Sequence, residues 1–347
     1  MSRPATAAAA VLRSSGRRTP QLALADWRLP VAGAAAVELA ARVGADAVQL
    51  DLGGPGRADW LDAPGSLAAL RERSGATGVE LTAVSGNLLN DIGLTAPEDS
   101  AQGQLVRTTL LRLLDTAHAL GVPLVFVPSF RRSAINNAYD LRRTATVLGR
   151  AAQEAADRNL LLASENTLSA TDSRDLVEAV GSPSFRLLLD TYNPRAAGVD
   201  VVELIRVNAP WICDQVHLKD GLRGAGGSVL LGEGDGRLAE TLAALADEQV
   251  PVRTLVVETD HREGRTGRPA AASADLESTG LGDPGPMDTN LRNTNLMNTD
   301  PLATDIAWNL HADISWDLHK DTDPLAADLG WGRRHAGLLH HSIEGTA

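Results

Sequence analysis

Short runs rich in Leu, Val and Ala alternate along the chain with longer segments in which apolar residues recur every three or four positions. The runs predict buried strands and the longer segments amphipathic helices; their regular alternation is the pattern of parallel βα units. Eight runs stand out, at residues 22–25, 47–52, 79–85, 124–128, 160–165, 186–190, 213–217 and 254–258. Helices are predicted between them, for example at 34–43, 104–120, 141–159 and 236–248. Gly44, Gly121 and Pro251 fall just ahead of strands, where a helix has to end. Eight such units predict an α/β fold, the (β/α)8 TIM barrel.

The rhythm breaks after the eighth run. Residues 262–286 are Gly, Pro, Ala, Ser and charge, which predicts a loop, and local duplications follow. The stretch 305–311 is echoed by 313–319, and 299–308 by 322–331, repeats too short for a solenoid. The second copy runs on into an amphipathic stretch, so residues 324–339 are predicted to form the last barrel helix. The chain then divides into a disordered leader at 1–19, eight strands with their helices at 20–261, an insertion in the last βα loop at 262–321, and the final helix and tail at 322–347. That length, 347 residues, suits one barrel with extra segments.

A formal charge of −12 opposes phosphate backbones, so nucleic acid is not an expected partner. No apolar run approaches the ~20 residues that cross a bilayer, so no membrane partner is expected either. The single cysteine, Cys213, excludes intrachain disulfides, suits a cytoplasmic protein and reads as core packing. Only two lysines occur, Lys219 and Lys320, among many arginines.

Chemistry concentrates at the ends of the last four strands, which carry Glu165, Asp190, His217 and Glu258. Strand C-termini of a barrel converge on one face. Three carboxylates crowded there raise one another's pKa, and a bound cation resolves the repulsion. Hard oxygens with one imidazole suit Mn, Mg or Co, with Zn a further candidate. The competing readings are helix capping by Asp190 and Glu258 and a core role for His217; four such residues on four consecutive strands favour the metal. Lys219, two residues beyond His217, either faces the same site or pairs with Asp220. Counting back by two along these strands gives Ala163, Leu188, Gln215 and Val256, read as filling beneath a polar floor.

The motifs Ser164-Glu165-Asn166, Leu189-Asp190-Thr191-Tyr192-Asn193, Val216-His217-Leu218-Lys219-Asp220, Gly232-Glu233-Gly234-Asp235 and Val257-Glu258 resemble those of the xylose isomerase-like barrel superfamily, particularly its sugar phosphate isomerase/epimerase branch. The resemblance implies that Glu165, Asp190, His217 and Glu258 hold one divalent metal and that Glu165 and Glu258 double as acid and base. It implies a substrate-binding role for Arg223, six residues beyond His217. Many relatives have Asp-x-x-His after strand six, and Asn193 stands in place of that His; Lys219 and Asn193 are the further substrate-binding candidates. The expected activity is isomerisation or epimerisation of a sugar-like hydroxy-ketone through an enediolate, by a protein whose expected assembly is a homo-oligomer. A dehydratase or lyase shares the first step, and a non-catalytic barrel subunit shares the fold. An endonuclease of the superfamily would need a His-rich multi-zinc site and a basic groove, and the sequence shows neither.

Overall fold

The computed structural model describes residues 19–224, 228–262 and 323–339. Eight parallel strands close into a barrel in sequence order: β1 (Gln21–Ala25), β2 (Ala47–Asp51), β3 (Glu80–Ser85), β4 (Leu124–Pro128), β5 (Leu161–Glu165), β6 (Phe185–Asp190), β7 (Ile212–Leu218) and β8 (Thr254–Val257). β8 pairs with β1, with Leu22 opposite Leu255, which leaves no open edge. After the strands come α1 (Ala34–Val43), α2 (Ser66–Thr77), α3 (Ala101–Leu120), α4 (Ala138–Asp157), α5 (Ala170–Val180), α6 (Val201–Asn208), α7 (Leu238–Asp247) and α8 (Asp323–Ala336). The eight predicted strands and the predicted helices are all present, with ends shifted by a few residues.

Local chemistry sets where the helices begin and end. Ser100, Asn137, Ser169 and Asp200 precede α3 to α6, and each accepts a hydrogen bond from a backbone N–H of the first turn. Gly44 and Gly121 terminate α1 and α3 in the left-handed region, at φ 75° and 74°, so that each helix turns directly into the next strand.

Side chains alternate across every strand. Leu22, Leu24, Val48, Leu50, Val84 and Leu162 point outward and pack under the helices in the main core. The interior is filled by smaller residues in two clusters: Ala23, Ala25, Ala47 and Val256 on one side, and Ala83, Leu124, Phe126, Ala163, Leu188 and Cys213 on the other. Trp27, just beyond β1, lies against both. Cys213 is core packing as expected, and burial pushes its thiol up to about 12, so it is inert at neutral pH.

Two features shape the barrel mouth. After β7, the buried carboxylate of Asp220 accepts backbone N–H bonds of 2.9–3.0 Å from Gly221, Gly232, Gly234 and Gly236. A Cβ on Gly234 would lie 2.2 Å from Asp220 Oδ1, so a glycine is required there. At the end of the barrel α8 packs against β8, β1 and α7. Its Asp328 accepts from Leu231 N at 2.7 Å and pairs with His261 Nε2 at 3.0 Å. The predicted leader (apart from Thr19) and almost all of the insertion lie outside the described residues, as do the duplications except for the copy at 323–331, which falls in α8. No helix among the described residues is long and apolar enough to cross a membrane.

Candidate metal centre

Glu165, Asp190, His217 and Glu258 come together at the C-terminal mouth of the barrel, all buried, with one ligand-type atom from each within 4.8 Å of the others. Register produces this. Pro128 pairs with Glu165 across β4 and β5, and Asp190 with His217 across β6 and β7, while Glu258 N bonds Leu218 O to continue the ladder just past β8.

Each side chain is held from outside the cluster. Asp190 Oδ1 accepts from the backbone N–H groups of Tyr192 at 2.7 Å and Asn193 at 2.5 Å, which fixes the turn that leads into the short helix Asn193–Ala196, whose N-cap is Tyr192. The other Asp190 oxygen is free to face the centre. Asn193 Nδ2 donates to Glu165 Oε1 at 3.1 Å. Glu258 Oε1 accepts from Trp27 Nε1 at 3.0 Å and from Arg28 Nε and Nη2 at 3.1 and 3.0 Å. His217 Nε2 is 2.8 Å from Gln49 Oε1, and Phe126 packs edge-on to the imidazole with ring centroids 5.2 Å apart.

What remains inside is a set of orphaned atoms. Asp190 Oδ2, His217 Nδ1 and Glu258 Oε2 are buried without a hydrogen-bond partner among the described residues. His217 Nδ1 lies 3.5 Å from Glu258 Oε2 and 3.7 Å from Glu165 Oε1, too far for a good hydrogen bond. Unsatisfied buried polar atoms are costly, and here they converge. Ligands about 2.1 Å from one ion stand up to about 4.2 Å apart, so small inward movements close this group on a divalent cation.

The electrostatics point the same way. Burial, together with Glu258 and Glu165, raises the Asp190 carboxyl to about 7 despite the nearby Lys219. Burial lowers the His217 imidazole, yet Glu165 and Glu258 outweigh it and bring it up to about 10. Glu258 departs from the expected upward shift: burial raises it, but Lys219, Arg28 and His217 hold it well below the carboxylate range. The expectation that the crowded carboxylates all shift upward is thus corrected at Glu258, because Arg28 and Lys219 flank it. Even so, a pocket that draws a proton onto a buried imidazole is one that favours a cation.

The other candidates divide. Lys219 Nζ lies 3.9 Å from Glu258 Oε2, and the pairing with Asp220 is not formed, since Asp220 is taken up by backbone amides. Asn193 touches Glu165. Arg223 is exposed on the loop after β7, its backbone N–H bonded to the Asp235 carboxylate. Three residues escaped the sequence reading: Trp27, Arg28 and Gln49. Trp27 and Arg28 lie two and three residues past the end of β1, in the turn Asp26–Arg28, near the strand-end position that marked the other site residues. Gln49 is a polar residue at an inward position of the strand sequence Ala-Val-Gln-Leu-Asp.

Among curated proteins the chain is similar to 2-epi-5-epi-valiolone 7-phosphate 2-epimerase of an Actinoplanes species, 51% identical over 259 residues, covering 75% of this chain and 93% of the relative. Its fold is similar to those of L-ribulose 3-epimerase (TM-score 0.56, 22% identity, covering 69% of this chain and 81% of that one) and the IOLI protein with a binding zinc atom (0.59, 18%, 70% and 90%). D-Psicose 3-epimerase from Clostridium cellulolyticum H10, solved with D-tagatose, gives a TM-score of 0.56 at 20% identity, covering 70% of this chain and 86% of that one. The sequence profile of xylose isomerase-like TIM barrels matches residues 37–279, more than half of the chain, and the chain belongs to that family.

Proposed function

We propose that this protein is a metal-dependent epimerase that inverts the hydroxyl-bearing carbon beside the ketone of a phosphorylated, sugar-like polyol. The observation that carries the proposal is the convergence of three orphaned atoms, Asp190 Oδ2, His217 Nδ1 and Glu258 Oε2, with Glu165 at one barrel mouth. Glu165, Asp190, His217 and Glu258 are the ligands in this reading, for Mn, Mg or Co first and Zn as a further candidate. When bound, the ion supplies Lewis acidity that stabilises negative charge on the substrate's carbonyl oxygen. The phosphorylated substrate class is supported by the 51% identical relative, named for a 7-phosphate.

Glu165 and Glu258 belong to non-adjacent strands and flank the mouth from different sides. One carboxylate takes the proton from the carbon beside the carbonyl, and the C–H electron pair moves into the enediolate. The other returns a proton to the opposite face of the same carbon, which inverts it. Asn193 holds Glu165 in place through its 3.1 Å bond. Trp27 and Arg28 occupy Glu258 Oε1, which leaves Oε2 facing the reaction. Lys219, whose ammonium lies 3.9 Å from that oxygen, is placed to steady developing negative charge. Arg223, exposed at the rim, is proposed as a contact for the substrate's remote end.

The test uses 2-epi-5-epi-valiolone 7-phosphate in deuterated water with the metal-loaded enzyme. The expected result is deuterium at one ring carbon with inversion there, and a loss of at least ~10²-fold in exchange for Glu165→Gln and for Glu258→Gln. Near wild-type exchange in both variants with metal still bound overturns the mechanism. Exchange followed by loss of water identifies a dehydratase instead.

A further inference from the structure

The layer beneath the metal cluster is polar where a barrel interior is ordinarily apolar. Gln49 on β2 and Gln215 on β7 are 0% and 1% exposed, and neither lies among the four residues of the cluster. Three hydrogen bonds run through them in series. Gln215 Nε2 donates to the Thr82 carbonyl at 2.9 Å, Gln49 Nε2 donates to Gln215 Oε1 at 2.8 Å, and Gln49 Oε1 stands 2.8 Å from His217 Nε2.

The far end of this series fixes its direction. A backbone carbonyl only accepts, so Gln215 turns its NH2 toward Thr82 and its oxygen toward Gln49. That oxygen also only accepts, so Gln49 presents its NH2 to Gln215 and its own oxygen to His217. The hydrogen of that last bond therefore sits on His217 Nε2, and the neutral imidazole is left with a lone pair on Nδ1, the orphaned atom that faces Glu165 and Glu258. Turning either amide around would set oxygen against oxygen in a dry interior, at roughly 1–3 kcal/mol for each buried group left unsatisfied.

The backbone is shaped to this end. Between β2 and β3 the register runs from Val48 opposite Leu81 to Gln49 opposite Ala83, so Thr82 is the unpaired residue of a bulge. Between β6 and β7 it jumps from Leu187 opposite Ile212 to Leu189 opposite Val216, which places Gln215 in a second irregularity. Bulges of this kind re-aim groups that a regular ladder would hold in place.

We propose that the Thr82 carbonyl, Gln215 and Gln49 form a positioning relay that dictates which nitrogen of His217 carries the proton, and so presents Nδ1 to the metal. The proposal rests on the metal reading above. Histidine ligands are commonly oriented by a carboxylate or a backbone carbonyl on the second nitrogen. Here a carbonyl does so at two removes, through two neutral amides, and adds no negative charge beneath a site that already holds three carboxylates.

The experiment measures Mn2+ affinity of the full-length protein by electron paramagnetic resonance, and the protonation of the histidine rings by 15N NMR of the Zn2+-loaded form. In wild type the expected spectrum has a slowly exchanging hydrogen on His217 Nε2 and the metal on Nδ1; metal on Nε2 overturns the relay. Gln49→Met is expected to lower Mn2+ affinity ten- to a hundredfold and to speed exchange of the Nε2 hydrogen. Gln49→Glu keeps an acceptor toward His217 Nε2, although it sets a carboxylate against Gln215 Oε1, and should retain the Nε2 hydrogen that Gln49→Met releases. If Gln49→Met does not fold, Gln215→Met, which frees the direction of the series without touching His217, is expected to show the same loss. Wild-type affinity in a folded methionine variant overturns the relay alone, whereas a wild-type protein that takes up no Mn2+ overturns the metal reading itself.

Discussion

Glu258 and Asp190 carry the same functional group at similar depth, yet burial wins at Asp190 and loses at Glu258. Lys219 lowers both carboxyls; the difference is the Arg28 guanidinium and the His217 imidazole beside Glu258. Removing one partner of a buried pair leaves a charge uncompensated and costs up to ~3–5 kcal/mol. Arg28 keeps 24% of its side chain exposed, so Arg28→Met is expected to cost about 2 kcal/mol in urea unfolding and to weaken Mn2+ binding as Glu258 loses its anchor. An unchanged midpoint and affinity would show that Trp27 suffices to hold Glu258. A second residue prediction concerns Asp26, buried at the end of β1, which accepts N–H bonds from Gly33 and Asp51. Burial, reinforced by the Asp51 carboxylate, pushes it from 3.8 up to about 8. The folded protein thus keeps a proton that the unfolded chain releases near pH 4. The stability this gives is complete below that pH and is lost as pH rises toward about 8. Metal-loaded wild type should therefore melt lower at pH 8.5 than at pH 5.5, and Asp26→Asn should flatten that difference; equal slopes in the two proteins would refute it.

At the scale of strands and loops, what the sequence revealed followed from repetition. Period and punctuation repeat eight times, so one ambiguous run did little damage, and the acidic and imidazole groups could be located simply as strand-end residues. What stayed hidden depended on pairing across the barrel. Nothing local to Gln215 distinguishes a filler from a hydrogen-bond donor; its role appears only when the bulge at Thr82 on β3 and Gln49 on β2 are seen around it. Trp27 and Arg28 were hidden differently, because their partner is Glu258 at the opposite end of the sequence, brought near by closure of β1 on β8. The glycines of the motif in the loop after β7 have their physical reason in Asp220. Its two oxygens collect four backbone N–H groups, so the loop is folded around one carboxylate. Asp220→Ala should cost about 3 kcal/mol, as a charged acceptor with several donors does, while Asp220→Asn should cost less because one acceptor oxygen survives. Thermal unfolding checks the order; an alanine variant as stable as the asparagine one would mean that water takes over the cradle.

For the whole molecule, the open question is why the chain leaves the barrel after β8 and returns to supply its last helix. The two sides of that excursion meet in space: His261 Nε2 and Asp328 Oδ2 are 3.0 Å apart, and His261 N also bonds the Arg28 carbonyl. α8 itself belongs to the core. Leu325, Leu329 and Ala336 are buried on it, and Trp331 covers Gly232, where a Cβ would lie 2.4 Å from the indole nitrogen. Two buried leucines contribute roughly 3–6 kcal/mol, a large share of what keeps a domain folded. The barrel should thus need α8 but not the residues between. A chain in which 263–322 are replaced by about eight Gly and Ser residues, which reach ~26 Å when extended, is expected to fold and to bind one Mn2+ per chain. The chain leaves β8 on the face that carries Glu258, so the replacement is also assayed with the phosphorylated polyol, where a larger change in KM than in Mn2+ affinity is expected. Truncation at residue 262, which also removes α8, is expected to yield an unstable protein. If the linker variant fails to fold with several linkers while α8 is present, residues 263–322 complete the core and the assignment of this segment as an insertion is wrong; if it folds with unchanged KM, the segment serves something other than the site.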